Sequence, residues 1–572
     1  MGHRPKGRIM LNAFRSSTST YSTLRLLQWL WNILRHHRLQ TGLNTLLGCS
    51  TVLLDFMFIA ATKWTIDIAT YKAPGSLSIA AALLIGILLS QLCIHFASRW
   101  IKAILGVKAQ NHMQRFYFDR LLHSEWKDRN RRHSGDLLNR LERDVTDVVN
   151  AVTETAPSII AVCIRLVGAF LFLYSMDASL ACLTIAIIPL FMVLSKVYMK
   201  RMRKLTREIR NTDSRIQSIL QETIQHQMVV QTLEQQSVMV QRLDNIQQDL
   251  RNQIKTRTRF SSISSSFLSA GFMGCYLVAF LWGAARLHEG TITYGMMIAF
   301  IQLVGQIQGP FRDMSRFIPI FVNAFTAGER LMQLEEIPLE KHPEEIRIGS
   351  PSGIRFHQVS YAYDKGSRHI LQDFTYDFPP GSHTAVIGET GAGKSIAIDA
   401  LGTTLIRLML SLIHPTAGKI ILYDNHGRQS ECHAGTRSNF TYVPQGNTLF
   451  SGTIRENLLL GNPYATDEEM QTALIHACAD FVFQLPEGLD SRCGEQGTGL
   501  SEGQSQRIAI ARALLRPSGI LLFDEATSSL DTATEKRLWQ NICNHYGDKT
   551  LIFVTHRVNI ITSETRILKL SK

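Results

Sequence analysis

No Cys-x-x-Cys pair and no run at metal-ligand spacing occurs among the nine cysteines of this 572-residue chain. A zinc ribbon or dithiol redox site is therefore excluded. Cys49, Cys93, Cys163, Cys182 and Cys275 sit in apolar runs, where a free thiol behaves as a small apolar side chain. The N-terminus is polar and lacks the apolar core of a secretory signal, so no cleaved leader is expected. Lys6 also breaks the N-myristoylation pattern.

The next absence is of charge. "LSIAAALLIGILLSQLCIHFA", Leu77–Ala97, contains no Asp, Glu, Lys or Arg. A bilayer core takes about 20 apolar residues as a helix. Further candidates are 44–62, 157–175, 179–195, 262–285 and 292–309, for six spans in all. The remainder of the chain alternates short apolar runs with Gly-rich turns, so two or more domains are expected.

The net charge of +13 suits either nucleic acid or a membrane protein. Its distribution decides. Three connections between spans, around Tyr71-Lys72, Met176-Asp177 and Arg286, are short and nearly free of Lys and Arg. The two long ones carry Arg115, Arg120, Lys127, Arg129, Arg140 and Arg143, and Lys200, Arg201, Arg203, Lys204, Arg207 and Arg210. Positive-inside logic places both termini and both long connections in the cytoplasm and leaves no charge that needs nucleic acid. The long connections have helical periodicity and read as helices running out of the membrane. Residues 23–40, aromatic and basic, read as an interfacial amphipathic helix.

Polar residues inside spans are functional candidates by default. Asp55 and Arg165 read either as a structural ion pair or as substrate contacts. Gln302, Gln306 and Gln308 share one side of the sixth span and read as cavity lining.

In the last part of the chain, "HTAVIG" reads as a strand leading into Gly388, Glu389, Thr390, Gly391, Ala392, Gly393, Lys394 and Ser395. This is G-x-x-x-x-G-K-[ST], the Walker A phosphate loop. Its backbone amides cradle phosphates, its Lys meets the β/γ-phosphates and its hydroxyl binds Mg²⁺. "GILLFDEATSSLD" is an apolar strand ending in Asp524-Glu525. Asp524 can hold Mg²⁺ and Glu525 can orient or deprotonate the attacking water.

With "GTGLSEGQSQRIAIARALL" between these motifs and "FVTHR" after them, the chain resembles ATP-binding cassette transporters of the exporter type. "HSGDLLNRLERDV" and "FTAGERLMQLEEIPLE" resemble stretches of that family's membrane half and linker. The resemblance implies a half-transporter: an all-α transmembrane domain of six helices followed by an α/β P-loop nucleotide-binding domain. The implied bounds are 1–40 for the interfacial segment, 41–330 for the membrane domain, 331–350 for a linker and 351–572 for the cassette. It implies that Tyr363 stacks on adenine, Gln445 senses Mg²⁺, and Ser501, Gly503 and Gln504, with Leu500 and Glu502, form the signature loop. It further implies Glu525 as catalytic glutamate, His556 as the γ-phosphate switch, Asp531 in the loop that crosses the dimer interface, and Glu495 near the cytoplasmic helices. Ser395, Gln445 and Asp524 are the implied Mg²⁺ ligands.

ATP and Mg²⁺ are the implied cofactors. The implied partners are a second half-transporter subunit (a homodimer or a heterodimer), membrane lipid and an unidentified substrate. The implied location is the cytoplasmic (inner) membrane. Lipids, drug-like molecules and peptides all fit as cargo.

Three features depart from the family pattern. The signature reads LSEGQ, and Glu502 is expected to point away from phosphate. The family usually carries another strand and helix after "RILKLSK". Finally, deleting Ile396–Thr403 from "GAGKSIAIDALGTTLIRLML" leaves an ordinary family match, which points to an eight-residue insertion. Eight helical residues add ~12 Å and turn the downstream face by ~80°. A helix from about Ala392 to Leu401 is therefore expected to break at Gly402, with Thr403 or Thr404 capping a second. Two functions follow: an ATP-hydrolysing exporter, or the same fold with impaired ATPase acting as a heterodimer partner or a decayed gene product.

Overall fold

The computed structural model describes residues 22–33, 35, 38–126, 134–186, 188–341, 343–363, 369–388, 395–494, 499–555 and 565–570; within these, the side chains of 183–197 and 395–400 are among those left undescribed. The chain divides into two compact units, Met1–Asp119 with Ser134–Glu335, and Arg120–His133 with Glu336–Lys572.

The first unit is helical: α1 (Thr23–Ile33), α2 (Arg38–Ala69), α3 (Leu77–Leu122), α4 (Gly135–Met176), α5 (Ala178–Ala186), α6 (Ile188–Gln225), α7 (Gln236–His288) and α8 (Tyr294–Glu335). Among the described residues, four helices (α2, α3, α4 and α7) are long and apolar enough to cross a membrane. The expected span at 179–195 runs through undescribed side chains. That at 292–309 coincides with the start of α8, where Gln302, Gln306 and Gln308 dilute the apolar run. At 46 residues, α3 is about 69 Å long, more than twice the bilayer core, so it continues well beyond the lipid as expected. Its Ile85, Leu88, Leu89, Leu92 and Phe96 face outward, as lipid-facing residues do.

Inside the bundle, Phe300, Leu303, Val304 and Ile307 of α8 pack with Ile59, Ala169 and Leu173. Gly168 permits close approach, since an added Cβ would lie 2.5 Å from the Phe56 ring. Asp55 and Arg165 meet in an ion pair at 2.8 Å, and Gln91 donates to the other Asp55 oxygen at 3.1 Å. This is the structural alternative of the two expected for that pair. Gln308 donates to the Phe272 carbonyl at 3.0 Å and so ties α8 to α7.

The two family-like stretches of this unit converge. Arg140 bonds Asp136 at 2.8 Å and donates to the Arg330 carbonyl at 2.7 Å. Arg330 in turn bridges Asp136 at 3.1 Å and Asp144 at 3.2 Å. Helix α4 widens to π-type turns at Arg140–Asp144 and Ala151–Thr155, the first inside this network. The amphipathic reading of α1 is met by one packed edge: Leu26 contacts Met332, and Trp29 donates to Glu335 at 2.9 Å.

The second unit holds two main sheets. β1 (Ser352–Tyr361), β2 (Leu371–Phe378), β4 (Ala417–Asp424) and β5 (Gln429–Glu431) form an antiparallel sheet in the order β2-β1-β4-β5. β3 (His383–Gly388), β6 (Phe440–Val443), β9 (Ile520–Asp524), β10 (Thr550–Val554) and β11 (Arg566–Leu570) form a parallel sheet in the order β11-β3-β10-β9-β6. β7 (Gly452–Thr453) and β8 (Arg492–Cys493) make a small ribbon. β9 and β10 are buried along their whole length, which is why they read as continuous apolar runs without alternation. Helices α9 (Ser395–Met409), α10 (Asp467–His476), α11 (Glu502–Leu514) and α12 (Thr532–Tyr546) complete the unit.

The expected break at Gly402 is absent: α9 is one helix from Ser395 to Met409. Leu405, Ile406, Leu408 and Met409 are each 1% exposed and join the core under the parallel sheet. The downstream face thus keeps its place, and the added length extends the helix toward its N-terminus. Gly402 is accommodated because it packs on β10: a Cβ there would lie 2.5 Å from a Val554 methyl.

Candidate functional site

The site gathers at the carboxyl ends of the parallel strands, where open α/β sheets bind ligands. Asp524 ends β9 and is 4% exposed. Its Oδ1 accepts from the Thr403 hydroxyl of α9 at 3.1 Å, and its Oδ2 accepts from the Tyr442 hydroxyl at 3.1 Å. Burial, and after it the Asp524 charge, push the Tyr442 phenol well above its ordinary range, so it remains a donor at neutral pH.

Glu525 follows in a left-handed backbone conformation, φ +49°, held by its amide donating to the Val554 carbonyl at 3.1 Å. Such a conformation is costly for a residue with a Cβ and concentrates at functional sites. It turns the Glu525 side chain to Gln445, whose Nε2 donates to Oε2 at 2.7 Å. Asp524, Glu525 and Gln445, expected together from their motifs, are thus brought together.

Tyr363 lies against α9. Its hydroxyl shares a 3.3 Å hydrogen bond with Thr404 and accepts from Arg407 at 2.9 Å. The Arg407 guanidinium stacks on Trp126 at 4.7 Å, within the same compact unit. The segment around Trp126 is further tied in by the Glu125 amide, which donates to the Pro338 carbonyl at 3.0 Å.

Ser501 caps α11: its hydroxyl accepts from the Gln504 amide at 3.2 Å, and the Gln504 side chain accepts from the Ser501 amide at 2.8 Å. Glu502 is exposed in the first turn, where a carboxylate is stabilised by the helix dipole. Gly503 packs on the Ser529 carbonyl, 3.0 Å from where a Cβ would stand. Asp531 caps α12, accepting from the Ala533 and Thr534 amides at 3.1 and 2.9 Å. Those bonds, that of Thr534 foremost, hold its carboxyl below the usual range. Residues Glu389–Lys394, Glu495 and His556 lie outside the described residues, as does the side chain of Ser395; Gly388 closes β3.

The donor set around Asp524 is carboxylate, hydroxyl and amide oxygen, the hard donors that Mg²⁺ prefers. Among the described residues no cluster of three His, Cys, Asp or Glu could hold a metal unaided. That fits an ion completed by phosphate and water. Motif reading missed Tyr442, although it lies within "YVPQGNTLF", and Thr403. All nine cysteines are free, as their lack of pairing spacing implied.

Residues 42–311 match the family described as ABC transporter transmembrane region, and residues 371–528 the one described as ABC transporter. An uncharacterized ABC transporter ATP-binding protein, y4gM of Sinorhizobium fredii, is 31% identical over 481 residues, covering 82% of this chain and 80% of the relative. The transport/processing ATP-binding protein ComA of Streptococcus pneumoniae is 27% identical over 544 residues, covering 93% and 74%. A solved bacterial Atm1-family ABC exporter with ATP bound shares the fold at TM-score 0.72, with 22% identity and 94% of each chain covered. The chain belongs to the ABC transporters: it is an exporter-type membrane protein that binds ATP and couples its hydrolysis to transport.

Proposed function

We propose that two such subunits, identical or paired with a related one, sandwich two Mg·ATP and export a lipid, drug-like molecule or peptide across the cytoplasmic membrane. The carrying observation is the cluster of Asp524, Glu525 and Gln445 at the ends of the parallel strands. In this reading Asp524 and Gln445 hold Mg²⁺, which screens phosphate charge when bound. Glu525 orients the attacking water and accepts its proton, and His556 meets the γ-phosphate. Gly388, Glu389, Thr390, Gly391, Ala392, Gly393, Lys394 and Ser395 cradle the phosphates, and Tyr363 stacks on adenine. The exposed caps at Ser501 to Gln504 and at Asp531 are free to face the other subunit's nucleotide. Both termini and the ATP-binding unit lie in the cytoplasm, in keeping with the Lys and Arg of the long connections. Domain limits of 41–330 and 351–572 follow, with 1–40 at the interface and 331–350 as linker; Arg120–Trp126 pack with the ATP-binding unit.

The test is Glu525→Gln in the purified, lipid-reconstituted protein. ATP binding should persist while vanadate-sensitive hydrolysis falls at least about 100-fold, the scale of losing a general base. Undiminished hydrolysis would refute the assignment.

A second reading, slow or absent hydrolysis in a heterodimer partner, is favoured by the unbroken α9, which sets Ser395 about 12 Å along the helix from Thr403. A variant lacking Ile396–Thr403, compared with the full chain for ATPase rate, decides between them; equal rates sink the second reading.

A further inference from the structure

We infer that the hydroxyl facing the metal site beside Asp524 is that of Thr403, not that of Ser395 in the phosphate-loop motif. The inference rests on the nucleotide-site reading above and refines it. Removing Ser395–Gly402 instead of Ile396–Thr403 leaves "GAGKTTLIRLML", which still fits G-x-x-x-x-G-K-[ST], so the pattern alone does not choose between the two hydroxyls.

The fold does choose. Ser395 and Thr403 belong to one continuous helix, so their backbones are separated by about 12 Å along its axis. Two oxygens ligating one Mg²⁺ at about 2.1 Å each stand no more than about 4 Å apart. Only one of these hydroxyls can therefore serve an ion held by Asp524. Thr403 is already there, donating to Asp524 Oδ1 at 3.1 Å.

Its place is fixed from three sides. Gly402 abuts Val554, with a Cβ position 2.5 Å from the Val554 methyl. Thr404 is fully buried and bonds the Tyr363 hydroxyl at 3.3 Å. Leu405 and Ile406, each 1% exposed, anchor the next turn in the core. A rotation of α9 that brought Ser395 to Asp524 would have to undo all of these contacts.

The test uses the full chain in lipid nanodiscs, with Mn²⁺ standing in for Mg²⁺ and a non-hydrolysable ATP analogue. Bound Mn²⁺ is read by electron paramagnetic resonance in wild type, Thr403→Val, Thr403→Ser and Ser395→Ala. Thr403→Val should weaken nucleotide-dependent Mn²⁺ binding about ten-fold or more, the scale for disturbing a metal's supporting shell. Thr403→Ser should restore it, and Ser395→Ala should stay within about two-fold. Metal-free binding of the analogue in EDTA, unchanged in Thr403→Val, confirms that this variant is folded. Loss of Mn²⁺ binding in Ser395→Ala, or none in Thr403→Val, would overturn the inference while leaving the nucleotide site standing. If wild type itself bound neither Mn²⁺ nor the analogue, the nucleotide-site reading would fail, and this inference with it.

Discussion

Gly402→Ala separates the continuous helix from the broken one by the sign of a stability change. In a solvent-exposed or frayed helix position this substitution stabilises by up to about 1 kcal/mol, because Ala is the better helix former. In the register seen here the new methyl would stand 2.5 Å from Val554 Cγ1 and 3.2 Å from Cγ2, well inside contact distance. Overpacking of that kind costs about 1–3 kcal/mol. Val554 has little room to yield: it is 6% exposed, β-branched, and held in a central strand between β3 and β9. The net expectation is a loss of about 1–2 kcal/mol after the propensity gain is subtracted. For a unit of this size that lowers Tm by roughly 2–8 °C. The assay is thermal unfolding of the full chain in detergent, followed through the transition that ATP shifts. Adding Val554→Ala removes the clashing methyls. The double variant should therefore be more stable than the two single losses summed, with a coupling of about 1 kcal/mol or more. A stabilised Gly402→Ala, or strict additivity with Val554→Ala, would refute the register and restore the break.

Three other outcomes follow from the same geometry. Asp144→Ala removes a carboxylate that is 6% exposed and paired with Arg330, and should destabilise the membrane unit by roughly 2–3 kcal/mol in thermal unfolding. That is less than a fully buried pair would lose, since Arg330 keeps Asp136, and combining it with Arg330→Ala should give a strongly non-additive cycle. Tyr363→Ala should weaken binding of a fluorescent ATP analogue about ten-fold, the scale of one base-aromatic stack, whereas Tyr363→Phe, which loses only the bonds to Thr404 and Arg407, should stay within about two-fold. His476 stacks on His545 at 3.9 Å, and burial first, then the His545 charge, depress its pKa below 6.5. The unfolded chain then binds the extra proton before the folded one does. Stability is therefore full above pH 6.5 and falls as pH drops below it, and His476→Gln should flatten that limb of a Tm–pH profile.

Much of the fold and part of the site are legible in residue patterns because they depend on local chemistry. Leu77–Ala97 can only be a span, since nothing in it prefers water. The parallel strands β9 and β10 announce themselves as unbroken apolar runs because both faces are covered. Asp524, Glu525 and Gln445 come from motifs whose spacing fixes where each strand ends, and they do converge. What pattern could not supply were contacts across the chain. The partner of Asp524 on α9 is set by how a helix docks, not by how it reads. Asp136, Arg140, Asp144 and Arg330 sit in two stretches about 190 residues apart, and nothing local says that they form one network.

The helix behind the phosphate loop shows which force decides when local and tertiary preferences conflict. Breaking α9 at Gly402 would spare about 1 kcal/mol of glycine propensity and free the upstream turns to follow the loop. The downstream turns do not share that freedom. Leu405, Ile406, Leu408 and Met409 are each 1% exposed, and fully burying such side chains is worth roughly 1.5–3 kcal/mol apiece, about 6–12 kcal/mol together. That sum holds the C-terminal half of α9 in one register, and Gly402 against Val554 extends the lock by a turn. Eight added residues must then go where displacement costs least, at the helix N-terminus, which hands the place beside Asp524 to Thr403. If this ordering is right, replacing Leu405 and Ile406 by Ala should loosen the register before it unfolds the unit. The signal would be a Thr403→Cys label whose reactivity with a maleimide rises in the double variant, while Tm falls by less than global unfolding would require. Unchanged labelling at that site, with Tm falling all the same, would show that the apolar face does not set the register and that the contact of Gly402 with Val554 does.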